Sequence, residues 1–533
     1  MRRPGLRPQP ARWWLVALLG VLAFGAYIRW TPRALVADLR PAPDAIEYEE
    51  AAYSIAQGRG YLLWIGDKGY PPRYPPGMSL LIAASLPLVG TAPGSGIWVV
   101  LASALAAIAG TYALAHVAAG PAAGVVAALL VATSPLHVRC SRAVMSDIPA
   151  TAAVAWLSAW LIASLRRRTG VLEHAALGFA CGLAVSVRQP LAVLAPSACI
   201  MVGLLSVGTP RERMRNALVL GAGVLVGLLP LLWLNMELFG HPLHTGYGYW
   251  APGQSFSPAW VAQQRGPGGT SNAWFYATLL AGGRALYAWP AAVLLLIGTV
   301  VAARRDRTVR TLVLLAWLFT ILFLMLHLGY SGLASRLLLP ILPLLAAVMA
   351  IPCAAGSRTS LRATALALVA VAVVLQSSGP NSYRGATPPA FDVATLEKIA
   401  AVAEPNAAIL AHTNPFVFAR VLRRDADRVW VPLRLSEHQR AIQLGHLAPV
   451  RRDDANGGWI RNPLTQPFDR AAALATVEEL CRSGRPVYLS GQLAGSVKFL
   501  RPLERALRRR FGLTQVVAPE PYAVYRVACP ATG

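Results

Sequence analysis

RERMRNALVLGAGVLVGLLPLLWLNMELF (residues 211–239) opens on three arginines, then runs apolar from 217 to 239 with Glu237 as its one ionisable residue. A helix that crosses a bilayer needs about 20 mostly apolar residues. The same alternation of basic cluster and apolar run recurs along the chain. The candidate spans fall at roughly 13–30, 96–118, 121–137, 148–165, 174–189, 190–207, 217–239, 284–303, 311–329, 337–354 and 361–377. A shorter stretch, 77–90, contains Pro87 and has the length of an interfacial or re-entrant segment.

Composition agrees. Of 533 residues 55% are hydrophobic and 14% charged, and mean hydropathy is +0.48. A soluble domain carries about 25% charged residues, so a cytosolic globular enzyme is excluded, as is a disordered chain. The net charge of +25 would suggest nucleic acid in a soluble protein. Here the basic residues sit between apolar runs, as the positive-inside rule produces, and no nucleic-acid partner is expected.

The expectation is therefore a polytopic α-helical membrane protein with about eleven spans plus one partial helix. The N-terminal arginines, Arg166-Arg167-Arg168, the Arg211/Arg213/Arg215 loop, Arg304-Arg305/Arg307/Arg310 and Arg358/Arg362 belong in the cytoplasm. That leaves 31–76, the turn near 138–147, 240–283, 330–336 and everything after 378 outside. Tyr74 and Asp147 both lie outside, so the number of crossings between them is even, which demotes 77–90 to a non-spanning helix. The first apolar run ends at Ala26-Tyr27-Ile28-Arg29-Trp30 without a small-residue cleavage site and reads as an uncleaved span.

Residues 1–378 form the membrane domain, with 31–76 as its first outer loop. Residues 379–533 carry charges throughout and read as an extracytoplasmic α/β domain, with strands near 408–411, 428–431 and 486–489, helices at 393–403 and 470–483, and a long loop at 451–469. Cys481 and Cys529 fall in this domain, where a disulfide is permitted. Cys181, Cys199 and Cys353 lie in apolar spans as core residues.

Only eleven acidic residues precede the C-terminal domain, and six of them lie in the first outer loop: Asp38, Asp44, Glu47, Glu49, Glu50 and Asp67. Asp147 stands alone where a span begins, before Ile148-Pro149. An ionisable residue at membrane depth is a functional candidate by default; Asp147 also suits a helix cap, and the two roles are compatible. Tyr48, Ala52, Ile55 and Ala56 share one face of a helix that starts at Asp44 and ends at Gly58, which reads as amphipathic and interfacial. The proline-fixed turn YPPRYPPGMSLL (70–81) follows, with Tyr74 and Arg73. Arg73, Arg188 and Arg336 all fall at outer ends of spans, against the positive-inside rule. A guanidinium there suits a phosphate, or snorkels to lipid headgroups. In the loop 240–283, Tyr247, Tyr249, Trp250, Trp260 and Trp274 fit either a substrate groove or an aromatic belt, and His241 and His244 read as interfacial.

In order, PDAIEYEEAAYSIAQGRGY, YPPGMSLL, SPLHVRCSRAVMSDIPATAAVAWL, GLAVSVRQPLAVLAP and SRLLLPILPLLAAV resemble the GT-C superfamily of membrane glycosyltransferases. The similarity is to glycosyltransferase family 39, which includes protein O-mannosyltransferases and the aminoarabinose transferase of lipid A, and it covers roughly residues 10–355. The resemblance implies a multi-pass cell-membrane enzyme, N-terminus cytoplasmic, that moves a sugar from a polyprenyl-phosphate carrier to a lipid, glycan or protein acceptor on the outer face. It implies that Asp44 is the essential first-loop aspartate and Asp147 the second acidic position. The family often has Glu directly after that first aspartate, where Ala45 stands with Glu47 nearby. Many members have Lys before the Pro-Pro of the turn; here Arg73-Tyr74 stands there, so the cationic role passes to Arg73.

The chemistry fits these residue types. Asp44 can act as base for the acceptor, with Asp147 and Glu47 as further carboxylates to stabilise an oxocarbenium-like transition state. Arg73, Arg188 and Arg336 can hold the leaving phosphate, and a single displacement inverts the anomeric centre. Some GT-C enzymes use a divalent metal, and Asp44 with Asp147 are the pair that could hold one. The rival from another class is a transporter or lipid flippase, which would show internal repeats and midplane charges; neither is visible.

Overall fold

The computed structural model describes residues 11–30, 44–65, 68–250, 271–282, 286–328, 335–354, 358–378, 398–411, 429–432, 470–490, 501–517 and 524–529. Trp260, the 451–469 loop, and residues 31–43 and 66–67 of the first outer loop, with Asp38 and Asp67, lie outside the described residues.

Along the chain run α1 (Ala11–Arg29), α2 (Asp44–Ala56), the antiparallel hairpin β1 (Leu63–Ile65) and β2 (Lys68–Tyr70), α3 (Gly77–Val89), α4 (Ile97–Ala119), α5 (Pro121–Thr133), α6 (Pro135–Cys140), α7 (Asp147–Leu165) and α8 (Val171–Val187). Then come α9 (Leu194–Leu205), α10 (Pro210–Phe239), α11 (Gly246–Trp250), α12 (Asn272–Leu280), α13 (Trp289–Ala302), α14 (Arg307–Leu328), α15 (Leu342–Met349) and α16 (Thr359–Ser378). Each of the twelve apolar stretches read from the sequence is helical. Six are long and apolar enough to cross a membrane: Ile97–Ala119, Asp147–Leu165, Pro210–Phe239, Arg307–Leu328, Ser335–Cys353 and Thr359–Ser377. The other six, α3 among them, are shorter apolar helices.

Local chemistry sets the breaks. α10 starts at a capping box, in which the Glu212 backbone N–H donates to Thr209 Oγ1 at 3.2 Å and the Thr209 N–H donates to Glu212 Oε2 at 2.7 Å. It stops at Gly240, whose φ of 71° is left-handed. Ser134, ahead of Pro135, separates α5 from α6, and its hydroxyl donates to the Leu286 carbonyl at 2.7 Å. α8 stops where Arg188 turns extended (φ −158°, ψ 118°) two residues before Pro190, and a 3₁₀ turn over Gln189–Val193 leads into α9. That extended residue takes the Arg188 side chain out of the helical path.

Packing is closest between α8 and α10, where glycines interlock. A Cβ added at Gly178 would meet the Leu220 carbonyl oxygen at 2.0 Å, and one at Gly182 the Val224 oxygen at 2.3 Å. From the other side, Gly223 faces the Ala175 oxygen at 2.3 Å and Gly227 the Phe179 oxygen at 2.2 Å. Each helix thus presents two glycines four residues apart to its partner's backbone, the close-approach packing of membrane helices.

The C-terminal region has its own core around Ala408, Leu410, Val477, Leu480, Val487, Leu489 and Leu507. Helices α17 (Arg470–Arg482) and α18 (Arg501–Arg510) accompany a five-stranded sheet of β3 (Ala408–Ala411), β4 (Val429–Pro432), β5 (Val487–Ser490), β6 (Leu513–Val517) and β7 (Val524–Val527). The order is β4-β3-β5-β7-β6, with β3 parallel to both β4 and β5 and β7 antiparallel to β5 and β6. Cys481 and Cys529 are disulfide-bonded beside this core, with Cα atoms 5.3 Å apart.

Candidate functional site

Asp44 and Asp147 each open a helix, α2 and α7. In the fold the two starts meet. The bridge between them is Arg336, carried by the 3₁₀ segment Ser335–Ile341, whose guanidinium lies 2.7 Å from Asp44 Oδ2 and 3.8 Å from Asp147 Oδ2. Arg188 reaches in from the break after α8 and pairs with Asp147 Oδ1 at 3.0 Å. The Tyr74 hydroxyl donates to Asp44 Oδ1 at 2.5 Å. Four ionisable groups from positions 44, 147, 188 and 336 therefore form one charge-balanced cluster, in which Asp147 is fully buried. Charges taken out of water persist only when paired, and the pairing here is mutual.

Ser146 ties the cluster to α2. Its Oγ makes a 2.9 Å hydrogen bond with the Tyr48 hydroxyl and accepts one from Arg188 Nη1 at 3.3 Å. Sequence reasoning missed Ser146, because a serine at the start of a helix reads as a cap, yet its side chain makes no capping bond to α7. The Tyr48 and Tyr74 rings pack with centroids 4.8 Å apart, and Tyr247 from α11 meets Tyr74 edge-on at 5.5 Å. Burial pushes the Tyr48 and Tyr74 hydroxyls well above the usual phenol range, and the Asp44 charge adds to the shift. Both are thus neutral hydroxyls at physiological pH.

Glu47 and Arg73 form a separate pair at the edge. The Arg73 backbone N–H donates to Glu47 Oε2 at 2.7 Å, and Arg73 Nε lies 3.6 Å from Glu47 Oε1. Of the two residues before Pro75-Pro76, Tyr74 is the one bonded to Asp44, while Arg73 engages Glu47. Glu49, another residue to which the sequence gave no role, accepts the backbone N–H groups of Gly94 and Gly96 at 2.7 and 2.8 Å. These bonds explain a difference from the expected half-exposed interfacial helix. Asp44 through Ala52 are all buried, because the acidic face of α2 is taken up by donors from the turn at 71–76 and the loop at 94–96.

Among the aromatics of the 240–283 loop, Tyr247 reaches the cluster and Trp274 is exposed. The His241 and His244 rings lie tilted to each other with centroids 4.8 Å apart, and both are exposed. No group of three or more His, Cys, Asp or Glu side chains suited to a metal occurs among the described residues.

Residues 73–234 match a family model described as dolichyl-phosphate-mannose-protein mannosyltransferase. No curated protein matches the chain significantly in sequence. Among solved structures, ArnT from Cupriavidus metallidurans bound to undecaprenyl phosphate aligns with a TM-score of 0.60 at 15% identity, covering 98% of this chain and 99% of that one. The Archaeoglobus fulgidus oligosaccharyltransferase tethered to an acceptor peptide aligns with a TM-score of 0.56 at 13% identity, covering 98% of this chain and 74% of that one. The oligosaccharyltransferase AglB of the same organism, in complex with an inhibitory peptide and a dolichol-phosphate, gives 0.51 at 12% identity over 97% and 74%. In fold, the chain is similar to these membrane proteins over nearly its whole length.

Proposed function

We propose that the chain is a glycosyltransferase that moves a sugar from a polyprenyl-phosphate carrier to an acceptor on the extracytoplasmic face, with inversion. The observation that carries this is the buried cluster in which Arg336 joins Asp44 to Asp147, with Arg188 alongside. Two carboxylates and two guanidiniums are the groups such a transfer requires. The acceptor hydroxyl attacks the anomeric carbon and gives its proton to Asp44, while the bond from that carbon to the phosphate oxygen breaks. Positive charge developing on the sugar is stabilised by Asp147, and the charge on the departing phosphate by Arg188 and Arg336. Tyr247, partly exposed beside Tyr74, offers an aromatic ring at the same place, suited to a sugar ring or an isoprenyl chain. The family match over 73–234 and the undecaprenyl phosphate and dolichol-phosphate of the aligned structures support the carrier class.

In this reading the clustered end of the bundle faces outward. α7 supports it: Asp147 begins the helix and Arg166-Arg167-Arg168 follow its end, 19 residues or about 28 Å away, where the positive-inside rule puts them. The Cys481–Cys529 disulfide supports an extracytoplasmic C-terminal domain. The test is purified protein in lipid with a panel of polyprenyl-phosphate pentoses and hexoses radiolabelled in the sugar. Release of label by the wild type, abolished in folded Asp44→Asn and Asp147→Asn, establishes the class and names the donor. No release from any donor, with substrate-dependent lipid or solute movement in the same vesicles, replaces the transferase with a transporter.

A further inference from the structure

Asp44 and Asp147 are the carboxylates to which a divalent cation would go, and their surroundings do not fit one. All four carboxylate oxygens already have a hydroxyl or a guanidinium beside them. Asp44 Oδ1 accepts from the Tyr74 hydroxyl at 2.5 Å and Asp44 Oδ2 lies 2.7 Å from Arg336. Asp147 Oδ1 lies 3.0 Å from Arg188 and Asp147 Oδ2 3.8 Å from Arg336. A hard divalent ion held by only one or two carboxylates keeps several waters and needs the carboxylate oxygens free to face it. Two carboxylates without a third acidic or imidazole ligand among the described residues, flanked by two guanidiniums, repel such an ion more than they hold it.

We infer that Arg336 is the resident cation of this site and stands where a divalent metal would bridge the two aspartates. Its guanidinium is planar, permanently charged and forked, so one side chain serves two carboxylates at once. Asp147 shows why a cation is needed there. It is fully buried, and neither of its carboxylate oxygens has a well-directed hydrogen bond, so the guanidiniums hold it by charge. Removing Arg336 takes away half of that compensation and leaves an acidic gap between two helix starts, which is a vacancy for a metal. Arg336 cannot dissociate, so the site keeps its charge whatever the metal content of the medium. The consequence for turnover rests on the transfer reaction proposed above; the consequence for metal binding does not.

The experiment titrates Mn²⁺ into the purified full chain in lipid nanodiscs, following the free-ion signal by electron paramagnetic resonance. Wild type and Arg336→Lys are expected to leave the signal unchanged. Arg336→Ala should bind one equivalent, at least tenfold tighter than wild type, and Arg336→Ala/Asp44→Asn should lose it again. Arg336→Gln, closer in length, replaces the alanine variant if the latter does not elute as a single species. One equivalent bound by wild type and removed by Asp147→Asn overturns the inference, as does an Arg336→Ala or Arg336→Gln variant that gains no ion. In the labelled-donor assay, wild-type release should be indifferent to chelator, whereas Arg336→Ala falls at least 100-fold and recovers in part with Mn²⁺. Release that a chelator abolishes in the wild type also overturns it. The expected Mn²⁺ pattern without release from any donor would sink the transferase reading and leave the resident cation standing.

Discussion

Each oxygen of Asp44 has a different partner, a hydroxyl on one side and a guanidinium on the other, and this sets what each neighbour contributes. Asp44→Asn turns an amide N–H₂ toward Arg336 or Tyr74, removes the base and leaves the fold intact. General-base catalysis contributes about 10²–10⁴-fold, and the loss of sugar release should fall in that range. Tyr74→Phe deletes one hydrogen bond to a charged group, worth about 1.5–3 kcal/mol, so release should drop roughly 10- to 100-fold while donor binding persists. A Tyr74→Phe variant with wild-type release would remove Tyr74 from the reaction. Glu47 differs: its bond is to the Arg73 backbone, so Glu47→Gln, which keeps an acceptor, should retain far more release than Glu47→Ala. Asp147, Arg188 and Arg336 were legible in the sequence because each stands where apolar residues or the positive-inside rule leave no room for it, whereas Asp44, one of six acids in the first outer loop, was singled out by the resemblance. Ser146 was not legible, since a serine before an aspartate reads as a cap. Nor could the sequence say which of Arg73 and Tyr74 turns inward, because adjacent side chains in a proline-fixed turn point different ways and only tertiary packing chooses.

Between helices, the closest approach is α8 on α10, and it depends on having no side chain at four positions. A methyl at Gly223 would sit 2.3 Å from the Ala175 carbonyl oxygen, a backbone atom that cannot swing aside. At Gly221, two residues earlier on α10, the nearest atom is Cys199 Sγ at 3.9 Å. Gly223→Ala should therefore cost about 1–3 kcal/mol or more through overpacking, and Gly221→Ala nothing measurable. Comparing the midpoints of thermal aggregation of the two variants in detergent checks this; equal midpoints would mean the interface yields. Hydropathy found all twelve apolar helices, since that signal is local and strong. It did not find the burial of α2, whose acidic face looks solvent-bound in sequence. That face is buried because Glu47 and Glu49 accept backbone N–H groups from segments that follow them by 26 to 47 residues.

At the scale of the whole molecule, an apolar bundle carries a small α/β unit whose sheet was legible in outline: the three strands read from the sequence, at 408–411, 428–431 and 486–489, are β3, β4 and β5 to within a residue. The antiparallel β6 and β7 were not, since short strands with mixed burial lack a clear alternation. What holds this unit together differs from what holds the bundle. Among the described residues its apolar core centres on α17, α18 and the middle of the sheet. Cys481 at the end of α17 and Cys529 after β7 close a loop across it with a sequence separation of 48. In the chain-entropy account a loop of that length stabilises by about 4 kcal/mol, roughly a thousandfold in the unfolded fraction. A Cys481→Ser/Cys529→Ser variant of the full chain should thus become sensitive to limited proteolysis within residues 398–529 while the helical bundle stays resistant. The same variant separates the two halves functionally. Among the described residues the Asp44–Arg336–Asp147 cluster draws none from beyond Arg336, so release of sugar from the carrier should survive the loss of the disulfide. Transfer to the acceptor should fall if the C-terminal domain selects it. Loss of release together with transfer would mean instead that the domain supports the cluster itself.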